Sequence, residues 1–404
     1  MTFIEQLLNG ENVEWKKLGE VITIEKGKQL NKSLLTESGE YPAYNGGVTF
    51  SGFTDKYNYS ENKIIISQGG ASAGFVNFIT TKFYANAHCY VVLPNISRVD
   101  NKYVYHLLKM NQENLMGKQL GAGIPALHTA NILGISIPIP CPDNPTKSLD
   151  IQHRIVEILD KFTELEAELE AELDCRKRQY EYYRNQLLSF DILNRGQKLN
   201  DVKIMTLGEI GTFVRGSGLQ KKDFTPTGVG CIHYGQIYTY YGTYAKKTKS
   251  FVSQEFALKA RKAKHGDLII ATTSENDEDV CKAVAWLGDE DIAVSSDACF
   301  YAHTMNPKYI AYYFQTELFQ SQKRKFITGT KVRRVNAKDL AKIKIPLPPL
   351  SVQREIVEIL DKFDTLTNSI SEGLPKEIEL RRKQYEYYRN QLLSFSTVKE
   401  KYHG

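Results

Sequence analysis

A twelve-residue string, QYEYYRNQLLSF, occurs twice in this chain, at 179–190 and again at 384–395. A second string, IVEILDKF, precedes it each time, at 155–162 and 356–363. Blocks of that length repeated in matched order mark an internal duplication with a period of about 200 residues. Such a period is too long for a stacked solenoid, and two copies are too few. The expected plan is two whole domains, each followed by the same connecting element.

The 404 residues leave room for both domains to bury substantial cores. A composition that is 42% hydrophobic and 25% charged is ordinary for a soluble globular chain. The net charge of +5 suits a polyanionic partner without demanding one. Cys89, Cys141, Cys175, Cys231, Cys281 and Cys299 form no CxxC pair and no zinc-like spacing, so they read as reduced thiols. The first residues carry acids where a signal peptide needs bases, and no segment approaches 18 apolar residues. A cytoplasmic protein with no membrane partner is expected.

Residues 1–150 read as a first domain, mixed and mainly β. Short apolar runs such as KIIIS (63–67) and CYVVL (89–93) alternate with Gly- and Asn-rich turns, and one helix-like stretch lies at 103–116. Residues 196–350 read as a second domain that echoes the first. LGE recurs at 18–20 and 207–209, FYANAHCYVVLPN (83–95) is answered by VSSDACFYAHTMNP (294–307), and GISIPIP (134–140) by AKIKIPLPPL (341–350). The scaffold matches while the residues between diverge, which suggests one fold with two recognition surfaces.

Residues 151–195 and 351–404 are the two connecting elements. In the first, Asp150 is expected to cap a helix over 151–190, whose apolar residues recur at three- and four-residue steps. Its middle, TELEAELEAEL, has neither Gly nor Pro and favours helix strongly. The second copy holds Gly373 and Pro375, where the helix should kink or restart. Two long amphipathic segments separated by a domain can pack together. The expected fold is α+β: two mainly β domains separated by two long helices paired as an antiparallel coiled coil, with approximate two-fold symmetry. Duplex DNA with two half-sites is a natural partner for such symmetry.

Signatures of catalysis are missing. There is no GxxxxGK[ST] loop, no GxGxxG after a strand and no HExxH. GASAG at 70–74 matches a nucleophile elbow in letters, but FVNFIT after it reads as a strand where the elbow needs a helix, so a Gly-rich turn is expected. The acid cluster SENDEDVCK (274–282) suits a nuclease metal site or, more simply, a solvated loop.

The positive signal is basic and aromatic. Residues 321–344 carry Lys323, Arg324, Lys325, Lys331, Arg333, Arg334, Lys338, Lys342 and Lys344 against Asp339 alone. Within them GTKVRRV (329–335) sets Lys331, Arg333 and Arg334 on a Gly-punctuated turn suited to phosphates or guanine edges. A second basic stretch spans 246–264, and Arg215, Lys221 and Lys222 precede it. Tyr234, Gln236 and Tyr238 offer amide and aromatic groups for adenine and sugar. The first-domain candidates are Lys26, Lys28, Gln29, Lys32, Tyr44, Asn45, Gln68, Lys118, Gln119 and His128. No catalytic or metal-binding residue is nominated. A protein scaffold, or an adapter whose basic loops meet RNA or acidic proteins, stays open beside the DNA reading.

The chain resembles the specificity subunits of type I restriction–modification systems. The resemblance covers nearly the whole length and rests on WKKLGEV (15–21), IPLPPLSVQREIVEILDKF (345–363) and SEGLPKEIELRRKQYEYYRNQLLSF (371–395), with weaker copies of the last two after the first domain. It implies two target-recognition domains that each read half of a split DNA sequence. It also implies helices that set the gap between the halves and dock two modification subunits. The chain would then be a non-catalytic adapter for host defence. It would direct adenine-N6 methylation by its partners and ATP-driven restriction by two motor–nuclease subunits. On that reading it holds no cofactor itself, because S-adenosylmethionine, ATP and magnesium are bound by the partners. The first connecting helix departs from perfect symmetry with the second in lacking the GLP element.

Overall fold

The computed structural model describes residues 3–118, 126–189 and 202–395. The chain divides into two compact units, one formed by residues 1–170 with 377–404 and the other by 171–376.

The first unit holds an antiparallel sheet in the spatial order Ile22–Lys26, Cys89–Pro94, Lys63–Ser67, Val76–Ile79. The central Lys63–Ser67 strand is buried along nearly all its length, as its unbroken IIIS run requires. A smaller sheet sets Tyr41–Tyr44 between Gly52–Thr54 and Tyr84–Ala85, the latter pair parallel. Helix Asn101–Met110 packs on the larger sheet, and Asp100 caps it by accepting the Tyr103 N–H at 2.9 Å. Strands Val13–Lys17 and Ser136–Pro140 pair antiparallel and bring the start of the domain to its end.

The second unit repeats this plan. Its larger sheet runs Gly211–Arg215, Ala298–His303, Leu268–Ala271, Ala283–Trp286, Tyr244–Ala245. The smaller sheet again contains a parallel pair, Val229–Ile232 with Ile292–Val294. Lys203–Thr206 and Lys344–Leu347 form the closing ribbon. Internal details recur too. The Tyr103 hydroxyl donates to the Pro138 carbonyl at 2.9 Å, and the Tyr309 hydroxyl donates to Pro346 at the same distance. Gln152 accepts the Asp100 N–H at 2.9 Å, and Gln353 accepts the Asn306 N–H at 2.8 Å. The expected duplication is therefore present down to single hydrogen bonds.

The first connecting element is one helix, Pro145–Leu187. Asn144, not Asp150, caps it: the Lys147 N–H donates to Asn144 Oδ1 at 3.1 Å, and Pro145 takes the first turn, where no N–H is needed. Asp150 lies inside the helix and pairs with Arg154 one turn on, at 3.2 Å. The second element breaks as its Gly and Pro foretell, into Leu350–Asn368 and Gly373–Ser394. Phe190 falls outside the described residues.

Each unit takes its helices from both connecting elements. In the first, Ile151, Ile155 and Leu159 share the core with Tyr385, Leu392 and Leu393. Phe162 stacks on Tyr388 at 5.2 Å, and Arg382 bridges Glu166 and Glu170, both at 2.5 Å. The contacts rise along one helix as they fall along the other, so the two run antiparallel there. In the second unit, Tyr180 and Leu188 join Ile356, Val357 and Leu360, and the Tyr180 ring stacks on Phe363 at 6.1 Å. Among the described residues no helix is long and apolar enough to cross a membrane.

Candidate nucleic-acid interface

In the first unit a short chain of hydrogen bonds gathers the candidate residues at one edge of the fold. Lys26 ends its strand opposite Tyr90. The chain then turns at Gly27, whose N–H donates to Cys89 at 2.9 Å, while the Lys28 N–H donates to Ala85 at 3.0 Å. A Cβ at Gly27 would lie 2.1 Å from the Asn86 carbonyl, so this close approach requires glycine. Asn86, nearly fully buried, clamps the next residues: its amide accepts the Leu30 N–H at 3.1 Å and donates to the Leu30 carbonyl at 3.0 Å. Lys28 and Gln29 stand exposed between the two anchors, with Lys32 just beyond.

The same chain of bonds draws in the other loops. The Asn86 N–H donates to Tyr44 at 2.9 Å, which fixes Tyr44 and the exposed Asn45 after it. The Gln68 N–H donates to His88, and the Leu127 N–H to Gln68, both at 2.8 Å. His128 follows Leu127 and is exposed. GASAG forms a turn, as expected, with its Gly74 N–H donating to Ser67 at 2.8 Å, and the next strand begins at Val76. Lys118 is exposed just after helix Gln112–Gly117, and Gln119 lies outside the described residues.

The second unit builds the same edge with other side chains. Gly216 donates to Ala298 at 3.0 Å and Ser217 to Val294 at 2.8 Å, in the places of Gly27 and Lys28. Arg215 is anchored, its Nε donating to the Ser296 carbonyl at 3.0 Å. Arg261 donates to the Arg215 carbonyl at 2.7 Å and so joins the edge. Ser295 replaces Asn86 and accepts the Tyr234 N–H at 2.8 Å. Lys221 and Lys222 are exposed on a short helical turn. Burial, with the Lys221 charge adding to it, holds His233 below the usual imidazole range.

GTKVRRV reaches this edge by the route of 126–128: the Val335 N–H donates to Thr272 at 3.2 Å, as Leu127 donates to Gln68. Arg334 and Lys331 are exposed there. Arg333 is half-buried and engaged, with Asp277 at 2.8 Å and the Gly329 carbonyl at 2.6 Å. Gln236 is a structural residue in this arrangement. Its amide accepts the His233 N–H at 3.0 Å and donates to Ser250 at 2.7 Å, which leaves it poorly placed for an adenine. Tyr238 donates to the Thr273 carbonyl at 2.6 Å.

One other expectation changes. Lys323 belongs to no surface: it is fully buried and donates to the carbonyls of Asp277, Glu278 and Val280 at 2.7, 3.0 and 2.9 Å. It thereby holds the SENDEDVCK turn, in which Asp279 and Asn276 also bond each other. Among the described residues no cluster of three or more His, Cys, Asp or Glu is arranged to hold a metal ion. Asn86, Ser295 and Arg261 had not been nominated as site residues. Both Asn86 and Ser295 lie within the matching segments 83–95 and 294–307, but only the fold shows that their side chains brace the loops.

Charge distribution separates these edges from the helices. Along the helices, bases are neutralised by acids one turn away, as in Arg176–Glu172, Arg178–Asp174 and Lys383–Glu379. Lys26, Lys28 and Lys32 at one edge, Lys118 after helix Gln112–Gly117, and Lys221, Lys222, Lys331 and Arg334 at the other edge are exposed and form no ion pair with the described residues. Unneutralised bases interleaved with amides and aromatics are what a nucleic-acid surface requires.

The family model described as type I restriction modification DNA specificity domain matches residues 10–174 and again 200–380. The specificity subunit of the type I restriction enzymes EcoR124I/EcoR124II from Escherichia coli is 35% identical over 413 residues, covering 98% of this chain and 97% of its own length. A putative type I restriction enzyme specificity subunit from Haemophilus influenzae is 33% identical over 422 residues, covering 98% and 99%. The crystal structure of the S subunit of a type I restriction–modification system from M. genitalium shares the fold with a TM-score of 0.57 at 21% identity, covering 95% of this chain and 97% of that one. Duplicated in sequence, in fold and in family match, the chain belongs to the type I restriction–modification specificity subunits.

Proposed function

We propose that this chain is the DNA-reading adapter of its complex, with each β domain recognising one half of a bipartite target. The observation that carries this is the pair of equivalent edges. Both are held by the same backbone bonds (Gly27 and Gly216, Leu127 and Val335), yet they present different side chains. A fold repeated with divergent edges suits a target with two unlike halves.

On this reading the helices set the number of base pairs between the halves and dock two modification subunits. Two motor–nuclease subunits complete the assembly. Adenine-N6 methylation and ATP-driven restriction are carried out by those partners, which hold S-adenosylmethionine, ATP and magnesium, and this chain supplies no catalytic group. The adapter acts in the cytoplasm, where the host genome is accessible. The acids of SENDEDVCK favour a structural role over a nuclease site, because Asp277 and Asp279 are committed to Arg333 and Asn276.

The test is methylation mapping of genomic DNA from cells carrying the chain with its modification subunit. A split motif around a fixed gap, lost when this chain is deleted, is the expected result. Methylation that persists without the chain would leave the protein-scaffold reading in its place.

A further inference from the structure

The loop between strands Tyr41–Tyr44 and Gly52–Thr54 carries two apolar side chains in the open. Val48 is 49% exposed and Phe50 46%. Exposed apolar groups are ordinary when scattered, but these two sit two residues apart on a loop that is fixed from several sides. The Gly46 N–H donates to Cys89 Sγ at 3.3 Å. Ser67 Oγ donates to the Gly47 carbonyl at 3.2 Å, and Asn77 Nδ2 to the Val48 carbonyl at 2.9 Å. Gly46 takes φ +78°, and a Cβ there would lie 2.8 Å from the His88 carbonyl. The Phe50 ring rests against Phe53 at 4.9 Å and edge-on to Tyr44 at 6.5 Å. The backbone is anchored at Gly46, Gly47, Val48 and Ser51 and the Phe50 ring is braced, so Val48 and Phe50 are held in place without being covered.

Two anchors of this loop, Ser67 and Cys89, adjoin the edge that carries Lys28, Gln29, Asn45 and His128. Its neighbours are therefore a lysine without an acid partner, two amides and an imidazole, which match a nucleic acid rather than an apolar protein surface. The apolar feature that duplex DNA offers at a base edge is the thymine C5-methyl group in the major groove. Insertion between base pairs fits less well, because Phe53 already occupies one side of the Phe50 ring. We propose that Val48 and Phe50 read thymine methyls within the half-site bound by the first domain. The second domain fills the same connection, between Val229–Ile232 and Ser250–Val252, with helix Tyr234–Thr239. Tyr240 after it is exposed with Lys249 4.6 Å over its ring, so the two half-sites are read by different chemistry there.

This inference rests on the DNA-adapter reading, and its test is separable from that one. Once the wild-type methylation motif is mapped, the intact complex is bound to duplexes whose first-domain half-site carries either thymine or deoxyuridine. Losing one buried methyl should weaken binding about fourfold per contacted thymine. The Val48→Ser, Phe50→Ser double variant should bind both duplexes alike and methylate a motif loosened at A·T positions of that half-site only. Equal wild-type affinity for thymine and deoxyuridine duplexes would overturn the proposal. So would 2-aminopurine fluorescence showing an unstacked base step at the loop. The deoxyuridine comparison uses wild-type protein, so it decides the matter even where the double variant fails to fold.

Discussion

The Tyr385 hydroxyl lies 2.8 Å from His106 Nδ1, across 279 positions of chain, while the other ring nitrogen of His106 lies 3.0 Å from Asp160. Burial holds this histidine below its usual range, although Asp160 pulls the other way. A neutral ring that donates to the carboxylate must accept from the tyrosine. Tyr180 occupies the same position in the repeated string, but its hydroxyl meets Asp364 only at 3.5 Å. Tyr385→Phe should therefore destabilise the first unit by about 1–2 kcal/mol by stranding a buried acceptor, and Tyr180→Phe should cost the second unit less. Urea unfolding of the two variants checks the asymmetry.

Acid should weaken the second unit through His303. Burial pushes this imidazole down to about 4. The unfolded chain takes up the proton near pH 6.5 and the folded chain only near 4, so acid favours unfolding between those values. The contribution is fully present above pH 6.5 and is lost as pH falls towards 4, by about 2 kcal/mol at pH 5. His303→Gln should flatten the dependence of the urea midpoint between pH 7.5 and 5. A residual slope of the same sign is expected from His106 and His233, which are also lowered.

Arg334 and Arg333 should behave differently although they are adjacent. Arg334 is exposed, so Arg334→Ala should lower specific DNA affinity by about 1–3 kcal/mol and relax only the half-site read by the second domain. Arg333→Ala removes the contact with Asp277 and should act mainly by loosening the loop. Methylation mapping of each variant separates the two. Loss of assembly with the modification subunit from Arg334→Ala would mark the loop as a protein contact.

Adding one LEAE turn to the 163–173 tract, on the C-terminal side of Glu170, lengthens the helix by about 6 Å. Since base pairs rise about 3.4 Å each, the preferred gap should grow by one or two base pairs with both half-sites unchanged. A methylome with the original gap would show that the tract does not set it.

The duplication was legible because its signal is identity at matched spacing, which needs no three-dimensional information. The break at Gly373 was legible for the same local reason, since Gly and Pro act on their own backbone. The cap of the first helix was misplaced because a turn-favouring Asn144 before Pro145 competes with Asp150, and periodicity alone does not choose between them. Basic residues were easy to count and hard to assign. Lys323 turned inward and Gln236 was consumed by the Tyr234–Thr239 helix terminus, because partners 14 to 46 positions away decide those fates. Arg215 and Arg261 were visible as charges, but their hold on one another's loop exists only in the fold.

The two units differ in how the ribosome delivers them. Residues 171–376 form an uninterrupted stretch, so the second unit has every part it needs once that stretch has emerged. The first unit begins earlier but includes Tyr385, Leu392 and Leu393 in its core, and these follow the whole of the second unit in the chain. Each of the two leucines contributes about 2 kcal/mol when buried. Of these two domains the one that starts first is completed second, and until helix Gly373–Ser394 arrives its core stays open. A truncation before Tyr385 would strike the folding of the first domain, whose other residues lie more than 200 positions upstream.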